Sequence, residues 1–435
     1  MSKRNRRIGI VLFLIAAVLF SVLIYTKPVN KHSEYPNEDG NTSASDRSEE
    51  KENQTDESTD TVSKDGDIQQ GGMEAEGSTD AQTGSDGITK RVTIAMVGDV
   101  LLHTPVSDSG IMEDGSYNYS HLFMHVKEDI SSADLAIVNQ EVILGGTELG
   151  LSGYPAFNGA YEVGDAISDA GFDVVLHATN HALDKGKSGI INCRNYWSES
   201  HPEIGVIGIN TSREQQDTIY IKEVNGIRIA ILNYTYGTNG IPMPSDMPYA
   251  VNMLDRERIA DDVRRAKENA DFVIVCPHWG TEYTHTEDSE QINYAMYLAE
   301  LGVDLVIGTH PHVIQPVKWI ESSNGNRMLV YYSIGNFINA TSEYGRGVAD
   351  RMIGAMANVT IEKTPDQTTA IADYSVTPLV TQMLSGRGRI TTYKLSDYSQ
   401  NLASQNEIIG RDSVFSYEYC VNLCDEVFAG VKQNR

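Results

Sequence analysis

The sequence predicts a layered α/β core, and three observations carry that expectation. Short apolar runs, each closed by turn residues, recur between residues 91 and 345, with amphipathic helical stripes between several of them. Strands buried on both faces read as unbroken apolar runs, and their alternation with helices implies sheet faces covered by helices. The third observation concerns the carboxyl ends of the runs, where acids, amides and imidazoles stand.

Taken in order, Arg91–Val97 is stopped by Gly98-Asp99, and Asp134–Val138 by Asn139. Phe172–Leu176 runs into Ala178-Thr179-Asn180-His181, Asp271–Val275 into Cys276-Pro277-His278, and Val303–Ile307 into Gly308-Thr309-His310. Tyr220–Val224 and Arg228–Asn233 flank Asn225-Gly226, the signature of a hairpin with a type I′ turn. Helices are expected over Tyr161–Ala170, 253–270 and Glu290–Leu301; in the second, Ile259, Val263, Ala266 and Ala270 form one apolar stripe. A strand-rich stretch from Arg327 to Val380 and a helical end over Val414–Val431 make 346–435 the completion of the same domain.

The N-terminal part reads differently. Lys3, Arg4, Arg6 and Arg7 precede Ile8–Tyr25, which carries no charge. As a helix that run would cover roughly 27 Å, close to the ~30 Å hydrocarbon core of a bilayer. Leading positive charge holds such an N-terminus in the cytoplasm and places the rest outside. The span ends in Leu23-Ile24-Tyr25-Thr26-Lys27-Pro28, without the small residues of a cleavage site. Residues 1–27 are therefore read as a basic tip and an uncleaved, single-pass transmembrane signal anchor, with a cleaved signal peptide as the competing reading. Residues 28–90 form an acidic linker: 31–90 holds 16 acids against 5 bases, and Tyr35 is its lone aromatic. Such a stretch buries too little apolar area to offset the entropy of ordering, so a disordered tether is expected.

Charge narrows the partners. With 60 acidic and 34 basic residues the chain has a net charge of −26, which argues against nucleic acid as a ligand. Contact with an anionic polymer would need a local basic patch or bridging divalent cations. There is no G-x-S-x-G elbow, P-loop or G-x-G-x-x-G fingerprint. Cys420 and Cys424, four apart on the terminal helix, are read as core packing.

The strand-end residues carry the chemistry. Asp99, Glu141, Asn180, His181, His278, His310 and His312 all fall at, or just beyond, the carboxyl end of an expected strand. That edge is where open α/β sheets bind ligands. Singly each has a plain reading as a turn, a cap or a buried histidine. Together the oxygen and imidazole donors suit one or two divalent ions, with Mn, Zn or Fe as the candidates. Asp184, three after His181, is placed to hold its ring nitrogen or to cap a helix. Glu282, four after His278, either orients an imidazole or is solvated. Ser333 and Asn336 come after a strand and are read as positioning backbone near the site.

Several phrases resemble a known family. They are Met96-Val97-Gly98-Asp99-Val100-Leu101-Leu102, Asn139-Gln140-Glu141 and Thr179-Asn180-His181-Ala182-Leu183-Asp184-x-Gly186-x-x-Gly189. His278-Trp279-Gly280-x-Glu282-Tyr283, Gly308-Thr309-His310-Pro311-His312-Val313 and Tyr332-Ser333-Ile334-Gly335-Asn336-Phe337 come next, in the family's order. Over about 92–340 the chain resembles the CapA family, also called PGA-cap or bacterial capsule synthesis proteins, related to calcineurin-like metallophosphatases. The resemblance implies a metallophosphatase-like α/β/α sandwich over 91–345. It makes Asp99, Asn180, His278, His310 and His312 metal ligands, Glu141 a bridging carboxylate, and His181 a general acid. Two ions ~3.5–4 Å apart are the implied arrangement. One departure stands out: position 101 is Leu where the related enzymes carry the histidine of an Asp-x-His motif, and His103 is the nearest imidazole. His103 is therefore kept as a further candidate ligand. The implied role is capsule polymer synthesis or export, with poly-γ-glutamate as the example and a polymer synthase complex and the anionic polymer as partners. Two rival expectations are a metallophosphoesterase acting on a phosphorylated wall or lipid-linked intermediate, and a non-catalytic metal-bearing scaffold that binds the polymer.

Overall fold

The computed structural model describes residues 87–386 and 388–435. The expected signal anchor, and the linker up to residue 86, lie outside the described residues. Among the described residues no helix is long and apolar enough to cross a membrane.

In order along the described residues, the first four strands are β1 (Lys90–Val100), β2 (Leu135–Asn139), β3 (Val174–Leu176) and β4 (Gly205–Ile207). Next come β5 (Tyr220–Val224), β6 (Ile227–Thr235), β7 (Phe272–His278), β8 (Leu305–Ile307), β9 (Val317–Glu321) and β10 (Arg327–Tyr331). The last four are β11 (Asn336–Ile338), β12 (Ile353–Lys363), β13 (Thr369–Met383) and β14 (Ile390–Lys394). They build two sheets. One has the order β14-β13-β12-β1-β2-β3-β4, with β11 beside the end of β1; the other has the order β5-β6-β7-β8-β10-β9. Strands β1 to β4 pair parallel, as do β6, β7, β8 and β10, while β12 joins β1 antiparallel.

The two sheets pack against each other. Ile229, Ile231, Phe272 and Ile274 of the second sheet share a core with Ile94, Met96, Ile137 and Val175 of the first. At that junction the sulfurs of Met96 and Cys276 lie 3.8 Å apart. The alternate residues of β6 and β7, Ala230, Leu232, Val273 and Val275, pack on Ile259, Val263, Ala266 and Leu298 of the covering helices. Residues i and i+1 of a strand face opposite ways, so burial on both faces accounts for the unbroken apolar runs. The α/β class stands, but the three-layer α/β/α arrangement is corrected to two facing sheets with helices outside. A run of apolar strands does not encode which sheet each strand joins, and that is why the sequence suggested a single rim.

Local signals match the elements they announced. Asn225 and Gly226 have φ of 51° and 74°, the positive values a type I′ hairpin requires. The helix Arg256–Asn269 opens with Asp255 accepting from the Arg258 N–H, and Ser289–Glu300 opens with a capping box between Asp288 and Gln291. The terminal helix is Tyr417–Val427, with Cys420 and Cys424 both buried in the core as free thiols. Strands β4, β9 and β14 and the helix Gly186–Ser200 had no expectation; β4 is only three residues long, too short to leave a period.

Register sets the edge of each sheet level. Asp99 stands opposite Asn139, and Asn139 opposite Leu176. In the other sheet Thr235 stands opposite His278, which bridges to Thr309. The strand ends and loops that carry Asp99, Glu141 and Asn180 thus meet those that carry His278, His310 and His312.

Candidate metal centre

The ends of β1 and β7 and the loops after β2, β3 and β8 deliver polar side chains to the seam between the two sheets. Asp99 and Glu141 are buried to 0% and 1% exposure, and His278 to 0%. Asp99 is held from three sides: Asn139 Nδ2 donates to Oδ1 at 2.7 Å, the His310 backbone N–H donates to Oδ2 at 3.3 Å, and His312 Nδ1 lies 3.2 Å from Oδ2. A Cβ on Gly98 would run into the carbonyl oxygen of Gly335, which accepts from the Asp99 N–H at 3.2 Å. The glycine therefore lets the two backbones close up and sets Asp99 in place.

Glu141 has a different environment. Its Oε1 faces His312 Nε2 at 3.6 Å, His278 Nε2 at 3.8 Å and His181 Nε2 at 4.0 Å. Neither carboxylate oxygen has a hydrogen-bond partner. A buried carboxylate without partners is costly, and burial accordingly pushes Glu141 well above the ordinary carboxyl range, with Asp99 and Glu282 adding to the rise against the pull of His312. Burial alone would lower His312, but Glu141 and Asp99 lift it to about 10. Burial and the neighbouring imidazoles keep His278 and His310 well below the usual histidine value, so both stay neutral with a lone pair to offer.

The donors fit a divalent cation. Asp99, Glu141 and His312 each present one ligand atom within 4.8 Å of the others, and Glu282, His310 and His312 do the same. Asn180 Oδ1 lies 2.8 Å from His278 Nε2, itself 3.8 Å from Glu141. Donor atoms bound at about 2.0–2.2 Å to a shared ion come to such mutual distances. The unpartnered oxygens of Glu141, and the unpartnered Nδ1 of buried His310, are what a cation would satisfy. His310 and His312 hold φ of 99° and 59° on either side of Pro311. Left-handed backbone is uncommon for such residues and gathers at functional sites.

The supporting shell is legible atom by atom. Thr309 Oγ1 meets His278 Nδ1 at 3.0 Å, and Asn336 Oδ1 meets His312 Nδ1 at 3.0 Å. Ser333 Oγ donates to the Val313 carbonyl and accepts from the Gly335 N–H, tying the His-Pro-His segment to the next strand. His181 Nδ1 lies 2.7 Å from Asp184 Oδ2. Of the sequence candidates, Asp99, Glu141, Asn180, His181, His278, His310 and His312 come together. Glu282, read as an orienting group, offers an oxygen to a donor set. His103 belongs to neither set; it stands at the N-cap position of a short helix without a side-chain capping bond and meets Phe157 edge-on with ring centroids 5.3 Å apart, on the wall of the cavity.

That cavity has a volume of about 610 Å³ and opens onto His181, His312, Asn180 and Glu282. Another of about 380 Å³, beside Trp197 and Tyr220, is lined by no Asp, Glu, His or Cys. Sequence reasoning passed over several residues here. Asn139 orients Asp99, Tyr236 packs its ring 4.6 Å from that of His310, and Asn239 lies within 3.4 Å of both Asn180 and His181. Tyr236 and Asn239 lie just beyond β6, so the strand-end rule applied to that strand would have found them.

Two facing sheets whose carboxyl edges converge on buried acids, an amide and imidazoles define an α/β protein with a candidate divalent-metal centre. The chain belongs to the family described as bacterial capsule synthesis protein PGA_cap, whose model matches residues 93–341. It is 33% identical over 173 residues to the PGA biosynthesis protein CapA of Bacillus subtilis (strain 168), covering 40% of this chain and 44% of that one. It is 26% identical over 262 residues to the capsule biosynthesis protein CapA of Bacillus anthracis, covering 57% of this chain and 60% of that one. The chain thus matches less than two thirds of either relative. Among solved structures, the NAD nucleotidase of Haemophilus influenzae aligns with a TM-score of 0.43 at 10% identity, over 80% of this chain and 64% of the other. A 5′-nucleotidase precursor of Thermus thermophilus aligns with a TM-score of 0.40 at 13% identity, over 78% of this chain and 59% of the other.

Proposed function

We propose that this protein serves capsule polymer biosynthesis or export through a divalent-metal centre at the seam of its two sheets. Family membership and the capsule relatives support the role, with poly-γ-glutamate, the example the family resemblance implies, as the proposed polymer. The observation that carries the metal centre is Glu141: buried, without a hydrogen bond on either oxygen, and ringed by three imidazoles within 4.0 Å. Asp99, Glu141, Asn180, His278, His310 and His312 would hold one or two ions, of Mn, Zn or Fe. In this reading Ile8–Tyr25 anchors the chain in the cell membrane, the acidic linker gives reach, and the globular part works outside beside a synthase complex. Elemental analysis of the full-length protein tests the centre: stoichiometric divalent metal, lost in Glu141→Ala, is expected, and metal-free protein would reject it. Release from membranes without detergent would reject the anchor.

A second reading, hydrolysis of a phosphoester, is favoured by the pairing of His181 with Asp184 beside the donors. A bound divalent ion polarises a phosphoryl oxygen and lowers the pKa of water; His181 would give a proton to the leaving oxygen. Turnover of bis-p-nitrophenyl phosphate that disappears in His181→Ala supports this reading. Polymer binding without turnover would instead mark a metal-bearing scaffold.

A further inference from the structure

Arg351 lies outside the segment the family model matches, in a short 3₁₀ turn (Ala349–Met352). Its side chain reaches the same cavity as His181 and His312, and among the described residues lining that cavity it is the sole lysine or arginine, against Asp184, Glu282 and Glu343. The side chain is 12% exposed. The guanidinium carbon sits 3.6 Å from the centre of the Tyr283 ring, a cation–π arrangement that holds its plane. Nη1 meets Glu343 Oε2 at 2.7 Å, while the buried Nε has no acceptor. A guanidinium takes a carboxylate best through two parallel N–H bonds, so Glu343 leaves the fork incompletely used.

The position of Arg351 relative to the donors is fixed twice over. Its carbonyl accepts from Asn336 Nδ2 at 2.9 Å, and the same Asn336 contacts His312 through Oδ1. The Tyr283 beneath it donates its N–H to the Pro311 carbonyl at 2.8 Å, between His310 and His312. Glu343 is the exchangeable partner: its side chain is 56% exposed, on the irregular segment between β11 and the 3₁₀ turn.

We infer that Arg351 is a second anion-binding position, which receives a carboxylate of the substrate in place of Glu343 while a phosphoryl group of the same molecule faces the metal donors. The inference rests on the phosphoester reading above and names its substrate class: a phosphorylated compound that also carries a carboxylate. The carboxylate assignment comes from the occupant itself, since Glu343 already presents that group to the fork. Beside Asp184, Glu282 and Glu343, and with His181 and His312 turned to the metal donors, this guanidinium is the permanent cation that makes a second anionic group welcome.

The test is calorimetry on the full-length, Mn-loaded protein with two probes, 3-phosphonopropionate and propylphosphonate, which share the phosphonate and differ in the carboxylate. The carboxylate probe is expected to bind about tenfold tighter to the wild type. Arg351→Gln should abolish that preference while leaving propylphosphonate affinity unchanged, and Glu343→Gln should enlarge it severalfold. Arg351→Lys, which keeps the charge and the aromatic contact but loses the fork, should retain only a small part and stands in should the glutamine variant not fold. Equal affinities in the wild type, or a preference that survives both Arg351 variants, would overturn the inference and leave the metal centre standing. Binding of neither probe would overturn the phosphoester reading and this inference with it.

Discussion

Asp184 Oδ2 accepts from the Phe157 backbone N–H at 2.7 Å and stands 2.7 Å from His181 Nδ1. An ionised carboxylate only accepts, so Nδ1 carries hydrogen and Nε2 is the nitrogen turned toward Glu141, 4.0 Å away. Phe157 also packs edge-on against the His181 ring, with centroids 4.7 Å apart. The ring is therefore fixed in orientation, with Nε2 as the atom that would take up a proton and, from the imidazolium, give it to a leaving oxygen.

Removal of His181 as His181→Ala should lower kcat on a phosphodiester by about 10²–10⁴, the usual worth of a positioned general acid. Asp184→Asn should cost about 10–100-fold, the scale of losing an orienting partner, with metal content unchanged. Steady-state kinetics alongside elemental analysis separates the two effects. Equal loss of metal in Asp184→Asn would place that carboxylate among the ligands instead.

Glu141→Gln keeps the volume of the side chain and discards the charge. In the metal-free protein it relieves a buried carboxylate that has no partners, so Tm should hold or rise. With metal the order should reverse. A ligand at 100 times its Kd stabilises by about 2.7 kcal/mol, and the wild type should gain a clear upward shift in Tm with Mn or Zn that Glu141→Gln lacks. Thermal melts with and without metal check both halves.

How much of this was legible in the sequence depends on the kind of information each signal encodes. The ends of β1, β2, β3, β7 and β8 announce Asp99, Glu141, Asn180, His278 and His310, because apolar runs stop where the backbone turns. The division into two sheets was hidden, since buried strands of either sheet read alike. Glu282 was read as an orienting or solvated group because it sits in a loop with no period; its approach to His310 and His312 is purely tertiary. Arg351 left no trace at all. It lies after a stretch without periodicity, and its approach to Tyr283 depends on the β11–β12 connection folding back over the His-Pro-His segment.

Stability should depend on pH through the contact that docks the terminal helix. Tyr419 donates its hydroxyl to Asp350 Oδ1, and His285 Nε2 lies 3.3 Å from Asp350 Oδ2. Burial opposes the shift, but His285 and Tyr419 hold the Asp350 carboxyl below its usual range. Burial likewise opposes the rise of His285, which Asp350 and the Ile314 carbonyl produce. A depressed carboxyl stabilises above its unfolded value of about 3.9 and loses that as pH falls through the folded value. A raised imidazole stabilises below about 6.5 and loses that as pH rises through the folded value. Both contributions are complete between those limits. His285→Gln should cost about 1 kcal/mol within that window and less on the alkaline side, as read by urea denaturation across pH.

The tightest constraint in the site is a glycine. Gly98 precedes Asp99, and a methyl group there would meet the Gly335 carbonyl, the same oxygen that accepts the Asp99 N–H. The obstacle is backbone rather than the end of a flexible side chain, so it cannot swing aside. It is hemmed in by the His-Pro-His segment, whose Val313 carbonyl accepts from Ser333 two residues before Gly335. Gly98→Ala should therefore push β1 and β11 apart, at a cost of about 1–3 kcal/mol or more for an overpacked core, and carry Asp99 away from His312. The expected result is a lowered Tm together with loss of metal even where the protein still folds. Gly115→Ala, at an open loop position with no neighbour within 4 Å of the added carbon, should leave metal content untouched despite its positive φ. If Gly98→Ala retained full metal at reduced Tm, the close approach would matter for packing alone and not for the placement of Asp99.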